Sequence, residues 1–164
     1  MSKQHLLSLY AVNKPGVLMR IFQVFARRGY NVDSIVASPE MDGKYSRVTI
    51  AAQGDTAANV DQIVQQLAKL VDIVHCEEHT GGRSIIKEMA LIKVLLAPET
   101  RAELLQIVEH FKGKTVDLTP TSVIIQVDGD TDKIDAMIGL LRQHQIVELV
   151  RSGKMLMARG ETKT

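Results

Sequence analysis

Residues 12–39 read VNKPGVLMRIFQVFARRGYNVDSIVASP, and this stretch decides the fold. Pro15 and Gly16 interrupt an apolar, strand-like run, because proline fixes its backbone angle whereas glycine relaxes its own. From Val17 to Phe25 the apolar residues recur at helical spacing, which predicts a helix with one broad buried face. Two arginines followed by Gly29 predict the end of that helix. The apolar residues after it predict a second strand.

The remainder of the first half completes a repeating unit. A hairpin turn at Met41–Lys44, in which Asp-Gly supplies positive φ angles, leads into a returning strand that begins at Tyr45. A second amphipathic helix follows over Val60–Leu70, and Asp72–His79 predicts a fourth strand. Residues 1–80 therefore predict the order β-α-β-β-α-β.

The second half predicts the same order of elements. Its strands are expected at Ile85–Leu96, Thr115–Thr119, Val123–Val127 and Ile146–Val150, with a helix after each of the first and third. The fold class is therefore α+β, with two tandem ferredoxin-like βαββαβ domains over residues 1–80 and 85–164. Residues 81–84 (Gly-Gly-Arg-Ser) are the expected linker. In each domain the sheet face opposite the helices must be covered by the other domain or by another subunit.

Composition excludes several classes of protein. The chain has 164 residues with a formal net charge of +1, which argues against nucleic-acid binding because that usually needs a basic excess. One cysteine, Cys76, fits a reducing compartment. Met1–Tyr10 resembles a strand and not a signal peptide, and no stretch approaches the roughly 20 apolar residues of a membrane helix. We therefore expect a cytoplasmic protein that does not enter a membrane.

Signals for metal or catalytic chemistry are weak. His75 and Cys76 would point to opposite faces of a strand, so they and His79 do not form an easy metal site. The acids at 128, 130 and 132 lack the glycine and glutamate of a calcium loop, and they fit a helix N-terminus better. Gly113-Lys114-Thr115 lacks the first glycine of a phosphate loop and is expected to cap a helix. We expect no metal site, no catalytic residue and no enzymatic activity in this chain.

One segment has the features of a ligand site. Asn13 to Leu18 lies between the first strand and the first helix, where unpaired N–H groups and the helix dipole can hold a carboxylate. Gly16 permits close approach to the backbone, and the Asn13 amide can contact both an ammonium group and a carboxylate. Asn31 could supply a second amide. The alternative is a plain helix start, with Asn13 as the cap and Pro15 in the first turn.

The segment Val12–Pro39 resembles an ACT domain, and more narrowly the regulatory (small) subunit of acetolactate synthase. The N-x-x-G-x-L loop and the R-G-Y-N helix end of that family correspond to Asn13–Leu18 and Arg28–Asn31. Further similar stretches are SRVTI (46–50), QLAKLVDIV (66–74), DLTP (117–120) and VELVRSG (147–153). The resemblance covers nearly the whole chain.

The resemblance implies a non-catalytic partner of a larger enzyme subunit. That catalytic subunit uses thiamine diphosphate, magnesium and FAD, and none of these is expected in this chain. The resemblance further implies a homodimer through ACT domains, activation of the large subunit, and feedback inhibition by valine or another branched-chain amino acid. The effector would lie between two ACT domains. Its expected contacts are Asn13, Pro15, Gly16, Val17 and Leu18 of one protomer, with Asn31 and Val32 of the other.

Two other functions remain as alternatives. A free-standing amino-acid sensor would have the same site without an enzyme partner. A DNA-binding regulator with an ACT-like sensor would need a helix-turn-helix or ribbon module and a basic patch. The two predicted repeats use all the length and the charge is balanced, which disfavours the regulator.

Overall fold

A computed structural model describes residues 3–54, 57–79 and 84–164. The chain divides into two compact units, Met1–Ile86 together with Gly153–Thr164, and Lys87–Ser152. The last residues therefore group with the first unit, whereas the sequence placed them in a domain over 85–164. Of the expected linker 81–84, residues 81–83 lie outside the described residues, and Ser84 is the first residue of a strand.

The first unit has the predicted order of elements and a four-stranded antiparallel sheet. Strand order is β2-β3-β1-β4, so β2 is an edge strand. The elements are β1 (Lys3–Val12), α1 (Val17–Arg27), β2 (Val32–Pro39), β3 (Tyr45–Gly54), α2 (Ala57–Ala68) and β4 (Ile73–Glu78). The predicted end of α1 is confirmed, because Arg28 is its C-cap and Gly29 follows with a φ of 69°.

The next strands and helices repeat this topology. The elements are β5 (Ser84–Leu95), α3 (Arg101–His110), β6 (Lys114–Leu118), β7 (Ser122–Gly129), α4 (Thr131–Leu141), β8 (Ile146–Arg151) and β9 (Met155–Ala158). Strand order is β6-β7-β5-β8, and β9 also pairs with β5. The tandem ferredoxin-like architecture is therefore confirmed. Sequence reading missed β9, because its four residues are all apolar and give no alternation to detect.

Each unit has its own apolar core between the helices and one sheet face. The largest fully buried side chains of the first core are Leu7, Ile21, Phe25, Ile50, Ile63 and Leu67. Those of the second are Ile92, Leu104, Ile125, Ile134, Met137 and Leu141. The spacing in α1 explains the arrangement, since Val17, Ile21 and Phe25 recur every fourth residue and form its buried stripe.

The opposite face of the first sheet is also protected. Leu6, Ser8, Thr49 and Ala51 alternate with core residues along β1 and β3, yet all four are buried. Residues 153–164, which belong to the same unit, contact this face. The sequence predicted that another domain or subunit would cover the face, whereas here a segment grouped with the first unit contributes. In the described part of the chain, no helix has the length and apolarity needed to cross a membrane.

Candidate functional site

A cavity of about 230 Å³ opens beside the start of α1. Its wall is mostly apolar, and it is smaller than the pockets that hold drug-sized ligands, so it suits a small metabolite. The loop between β1 and α1, the end of β2 and the start of β3 form it together. The lining residues are Ala11, Val12, Asn13, Lys14, Val17, Leu18, Ala37, Ser38, Pro39, Ser46 and Val48.

Asn13 joins the loop to the β2–β3 hairpin. Its side-chain amide donates a hydrogen bond to the carbonyl oxygen of Gly43 at 2.9 Å, and its backbone N–H donates to Lys44 at 2.8 Å. The alternative in which Asn13 caps the helix is therefore wrong. The N-cap is Gly16, and Pro15 precedes the helix instead of lying in its first turn. The Asn13 side chain hydrogen-bonds to the β2–β3 hairpin and not to the helix, because β3 pairs directly with β1 and places the hairpin turn beside Asn13.

Gly16 gives α1 an unusual start. Its φ of 86° lies in the left-handed region, and glycine has no side chain with which to cap the helix. The first turn of α1 also lacks an acidic residue, so the positive end of the helix dipole has no carboxylate of its own there. The helix start thus faces a small cavity with the electrostatics that favour a bound carboxylate.

The structure divides the predicted site residues into two groups. Asn13, Val17 and Leu18 line the cavity, and Pro15 and Gly16 belong to the same loop without lining it. Asn31 and Val32 do not line the cavity of their own chain, because they lie at the other end of β2.

The distance between the two groups follows from strand geometry. Val32 pairs with Ala52, whereas Pro39 pairs with Ser46 at the cavity. At a rise of about 3.3 Å per residue, these two ends of β2 are about 23 Å apart. Within one chain, Asn31 therefore lies far from the cavity.

Sequence reading did not identify the β2 and β3 residues of the cavity. Ala37, Ser38 and Pro39 end β2, and Ser46 and Val48 lie on β3 directly across the hairpin. The predicted turn at Met41–Lys44 was the available signal, because a tight hairpin places the residues on either side of it in register.

The histidine and cysteine cluster serves the fold. Cys76 packs against the first core, and burial raises the pKa of its thiol to about 12. His75 instead contacts Glu77 at 3.4 Å, while His79 Nε2 lies 2.7 Å from the Ser8 hydroxyl. Within residues 3–54, 57–79 and 84–164, no three potential ligands are grouped to hold a metal ion.

Asp130 in the acidic run and Gly113 in the stretch that resembles a phosphate loop both lie at helix ends. Asp130 caps α4 by accepting a hydrogen bond from the Lys133 N–H at 2.9 Å, as the helix reading predicted. At the end of α3 the left-handed residue is Lys112, with a φ of 53°, and not Gly113. Gly113 packs closely against its neighbours, since a Cβ there would lie 3.2 Å from Val108 Cγ1, which is closer than ordinary van der Waals contact.

Arg151 binds within the second unit. Its guanidinium donates to both carboxylate oxygens of Glu88, at 2.6 and 3.1 Å, and to Asp135 at 2.6 Å. The hydrogen bond to Glu88 raises the pKa of Arg151 above its ordinary value. Ser152 accepts a hydrogen bond from the Met89 N–H at 2.9 Å. Both side chains thus have structural partners at the end of β8.

A βαββαβ unit that has a cavity between its β1–α1 loop and the end of β2, and that a family model for ACT domains matches over residues 7–75, defines the class: this is an ACT-domain protein with a second ferredoxin-like domain. Residues 7–75 match the family described as the AHAS small subunit-like ACT domain. Residues 87–160 match the family described as the small subunit of acetolactate synthase.

Individual relatives agree along nearly the whole chain. The probable acetolactate synthase small subunit of Archaeoglobus fulgidus is 39% identical, over 98% of this chain and 99% of its own length. The small subunit of Bacillus subtilis is 36% identical, over 96% and 91% respectively. The crystal structure of the small subunit from Thermotoga maritima aligns with a TM-score of 0.86 at 37% identity, over 98% of this chain and 99% of that one. The chain belongs to the acetolactate synthase small-subunit family.

Proposed function

We propose that this chain is the regulatory subunit of a cytoplasmic acetolactate synthase. In this proposal a separate large subunit performs the reaction and holds thiamine diphosphate, magnesium and FAD, and the present chain activates it without catalytic residues of its own. The observation that carries the proposal is the small apolar cavity at the start of α1, on a chain related to acetolactate synthase small subunits along nearly its full length.

The effector in this proposal is valine or another branched-chain amino acid. The uncapped start of α1 would hold its carboxylate. Because the amide nitrogen of Asn13 is bound to Gly43, the amide oxygen is the atom that would accept from the ammonium group. Val17, Leu18 and Val48 offer an apolar wall for the aliphatic side chain.

Two copies of the chain would complete this site. Because β2 is an edge strand, it can pair with β2 of a second copy in antiparallel register. Antiparallel pairing would set the start of the partner's β2 opposite the end of this one. Asn31 and Val32 of one protomer would then lie beside the cavity of the other, which accounts for their distance from it within a single chain.

Regulation would follow from thermodynamic linkage. Valine must bind one arrangement of the dimer more tightly than another, and the favoured arrangement must support the large subunit less well. Coupling of this kind is typically about 1–3 kcal/mol, or roughly 5–150-fold in affinity.

The test compares two glycines with similar backbone conformations. Gly16 and Gly29 have φ values of 86° and 69°, and a Cβ at either would meet nothing closer than 3.6 Å. Gly16→Ala and Gly29→Ala should therefore lose similar conformational stability, about 1–2 kcal/mol each. The assay measures acetolactate formation by the large subunit with each variant across a valine titration.

We expect Gly16→Ala, but not Gly29→Ala, to raise the inhibitory valine concentration while activation persists. Asn13→Ala should act in the same direction as Gly16→Ala. Joint loss of activation and inhibition would instead assign the loop to folding or to subunit contact. Failure of the wild-type chain to activate any large subunit would favour the free-standing sensor.

A further inference from the structure

The segment Gly153–Thr164, hereafter the C-terminal segment, contacts the edge strand of the first sheet. A Cβ built on Gly153 would lie 3.1 Å from Ser34 Cβ and 3.2 Å from Val36 Cγ2. Both distances are shorter than ordinary van der Waals contact, so the main chain of Gly153 lies directly against β2. Its φ of 85° is a second reason for glycine at this position.

The other end of the C-terminal segment contacts the β2–β3 hairpin through a polar cluster. Arg47 Nη1 donates to the main-chain carbonyl of Thr164, and Arg47 Nε donates to Glu40 at 3.0 Å. Glu40 also accepts a hydrogen bond from the Tyr10 hydroxyl at 2.8 Å, and the Arg47 guanidinium lies 5.2 Å from the Tyr10 ring centre. Thr164 therefore contacts Arg47, and the same guanidinium group also hydrogen-bonds to Glu40 beside the hairpin turn.

The hairpin that carries these contacts is the one that lines the cavity. Asn13 binds its turn at Gly43 and Lys44 from the cavity side. The end of β2 forms the cavity wall one residue after Val36, where Gly153 packs. A continuous set of contacts thus runs from the cavity loop through the hairpin to both ends of the C-terminal segment.

We propose that the C-terminal segment responds to occupancy of the cavity, with the β2–β3 hairpin as the connection. This inference rests on the proposed effector site. It adds a route by which ligand binding in the cavity affects residues beyond the first sheet. A ligand that engages Asn13 or the end of β2 changes the position of the hairpin, and Gly153 and Thr164 follow because they lie against it. Gly153 is bonded to Ser152, which is held to Met89 of β5.

The first measurement is hydrogen exchange of the wild-type chain, in complex with its large subunit, with and without saturating valine. Isothermal titration of valine establishes binding independently. We expect amides of residues 13–18 and of 153–164 to change their exchange rates together. If valine binds and the loop changes while residues 153–164 do not, this inference is overturned and the effector site stands. If valine does not bind, the effector site itself fails.

A matched pair of variants tests the functional consequence. Gly153 and Gly160 both have positive φ, 85° and 75°, but a Cβ at Gly160 meets nothing within 4 Å. Gly153→Ala and Gly160→Ala therefore share backbone strain, and only the first presses on β2. We expect Gly153→Ala to shift the half-inhibitory valine concentration about fivefold or more in the acetolactate assay. Equal responses of two folded variants would overturn the inference.

A second pair covers the case in which Gly153→Ala does not fold. Arg47→Met removes the contacts with Thr164 and Glu40, whereas Arg159→Met removes an exposed charge within the C-terminal segment. We expect only Arg47→Met to change the valine response. Matching responses of these two variants would likewise contradict the inference.

Discussion

Replacement of Arg151 by methionine is expected to cost far more stability than loss of an ordinary ion pair. Glu88 on β5 is 3% exposed, and both of its carboxylate oxygens accept hydrogen bonds from Arg151 on β8. Arg151→Met would leave that carboxylate buried and deprived of both bonds. Methionine retains much of the apolar stem, so the change removes the charge more than the packing.

The magnitude follows from the burial of Glu88. Removing one partner of a buried ion pair costs about 3–5 kcal/mol, because the remaining charge has lost its compensation. The Arg151 side chain is 31% exposed, which lets water reach the pair and favours the lower end of that range. We therefore expect a loss of about 3 kcal/mol in the free energy of unfolding of the second unit.

Lys93→Met is the matched control. Lys93 and Glu148 join the same two strands, β5 and β8, at 3.3 Å, but their side chains are 40% and 60% exposed. Surface pairs of this kind contribute about 0–1 kcal/mol. The double variant Glu88→Leu/Arg151→Met should regain much of the loss, since apolar residues can replace a buried ion pair.

Urea unfolding provides the assay. Far-ultraviolet circular dichroism follows both units, whereas tyrosine fluorescence follows the first unit, because Tyr10, Tyr30 and Tyr45 all lie within it and the chain has no tryptophan. Arg151→Met should lower the circular dichroism midpoint by about 2 M, with a smaller shift in fluorescence. Equal losses for Arg151→Met and Lys93→Met would refute the reasoning from burial.

Three further predictions concern single side chains. Cys76, with a thiol pKa raised to about 12 by burial, should react with iodoacetamide far more slowly in the folded chain than in urea at mildly alkaline pH. The hydrogen bond to Glu40 raises the pKa of Tyr10 from 10.0 to about 12, so its stabilisation is complete below pH 10 and disappears as the pH rises through 12. Glu40→Gln should bring this titration, followed by ultraviolet absorbance, back toward pH 10. Met137→Ala should cost about 2–5 kcal/mol because the residue is fully buried, whereas Met157→Ala, at 68% exposure, should stay within about 0.5 kcal/mol in the same urea assay.

The order of strands and helices could be predicted because its signals are local. The apolar stripe of α1 and the Gly29 that ends it are encoded within a few residues, and the Asp-Gly turn at 42 and 43 sets the hairpin. β9 was not predicted, because its signal is not local. A four-residue apolar strand has no internal period, and only its pairing with β5 defines it.

One part of the candidate site, the loop before α1, could be predicted from the sequence, and the rest could not. The loop from Asn13 to Leu18 follows from the chemistry of a helix start, and three of its predicted residues line the cavity. The hydrogen-bond partner of the Asn13 side chain could not be predicted from the sequence, because Gly43 lies 30 residues away along the chain. The role of Asn31 and Val32 remains a prediction that depends on a second copy.

The sequence by itself determined two βαββαβ units, a glycine-containing loop before the first helix, and a resemblance to one family of regulatory subunits. Tertiary structure alone decided which residues form the wall of the cavity, that residues 153–164 join the first unit, and that Arg151 binds the buried carboxylate of Glu88. The physical reason is distance along the chain. Periodicity and turn chemistry act over a few residues, whereas the contact of Arg47 with Thr164 joins residues 117 positions apart and forms only when the first unit has folded.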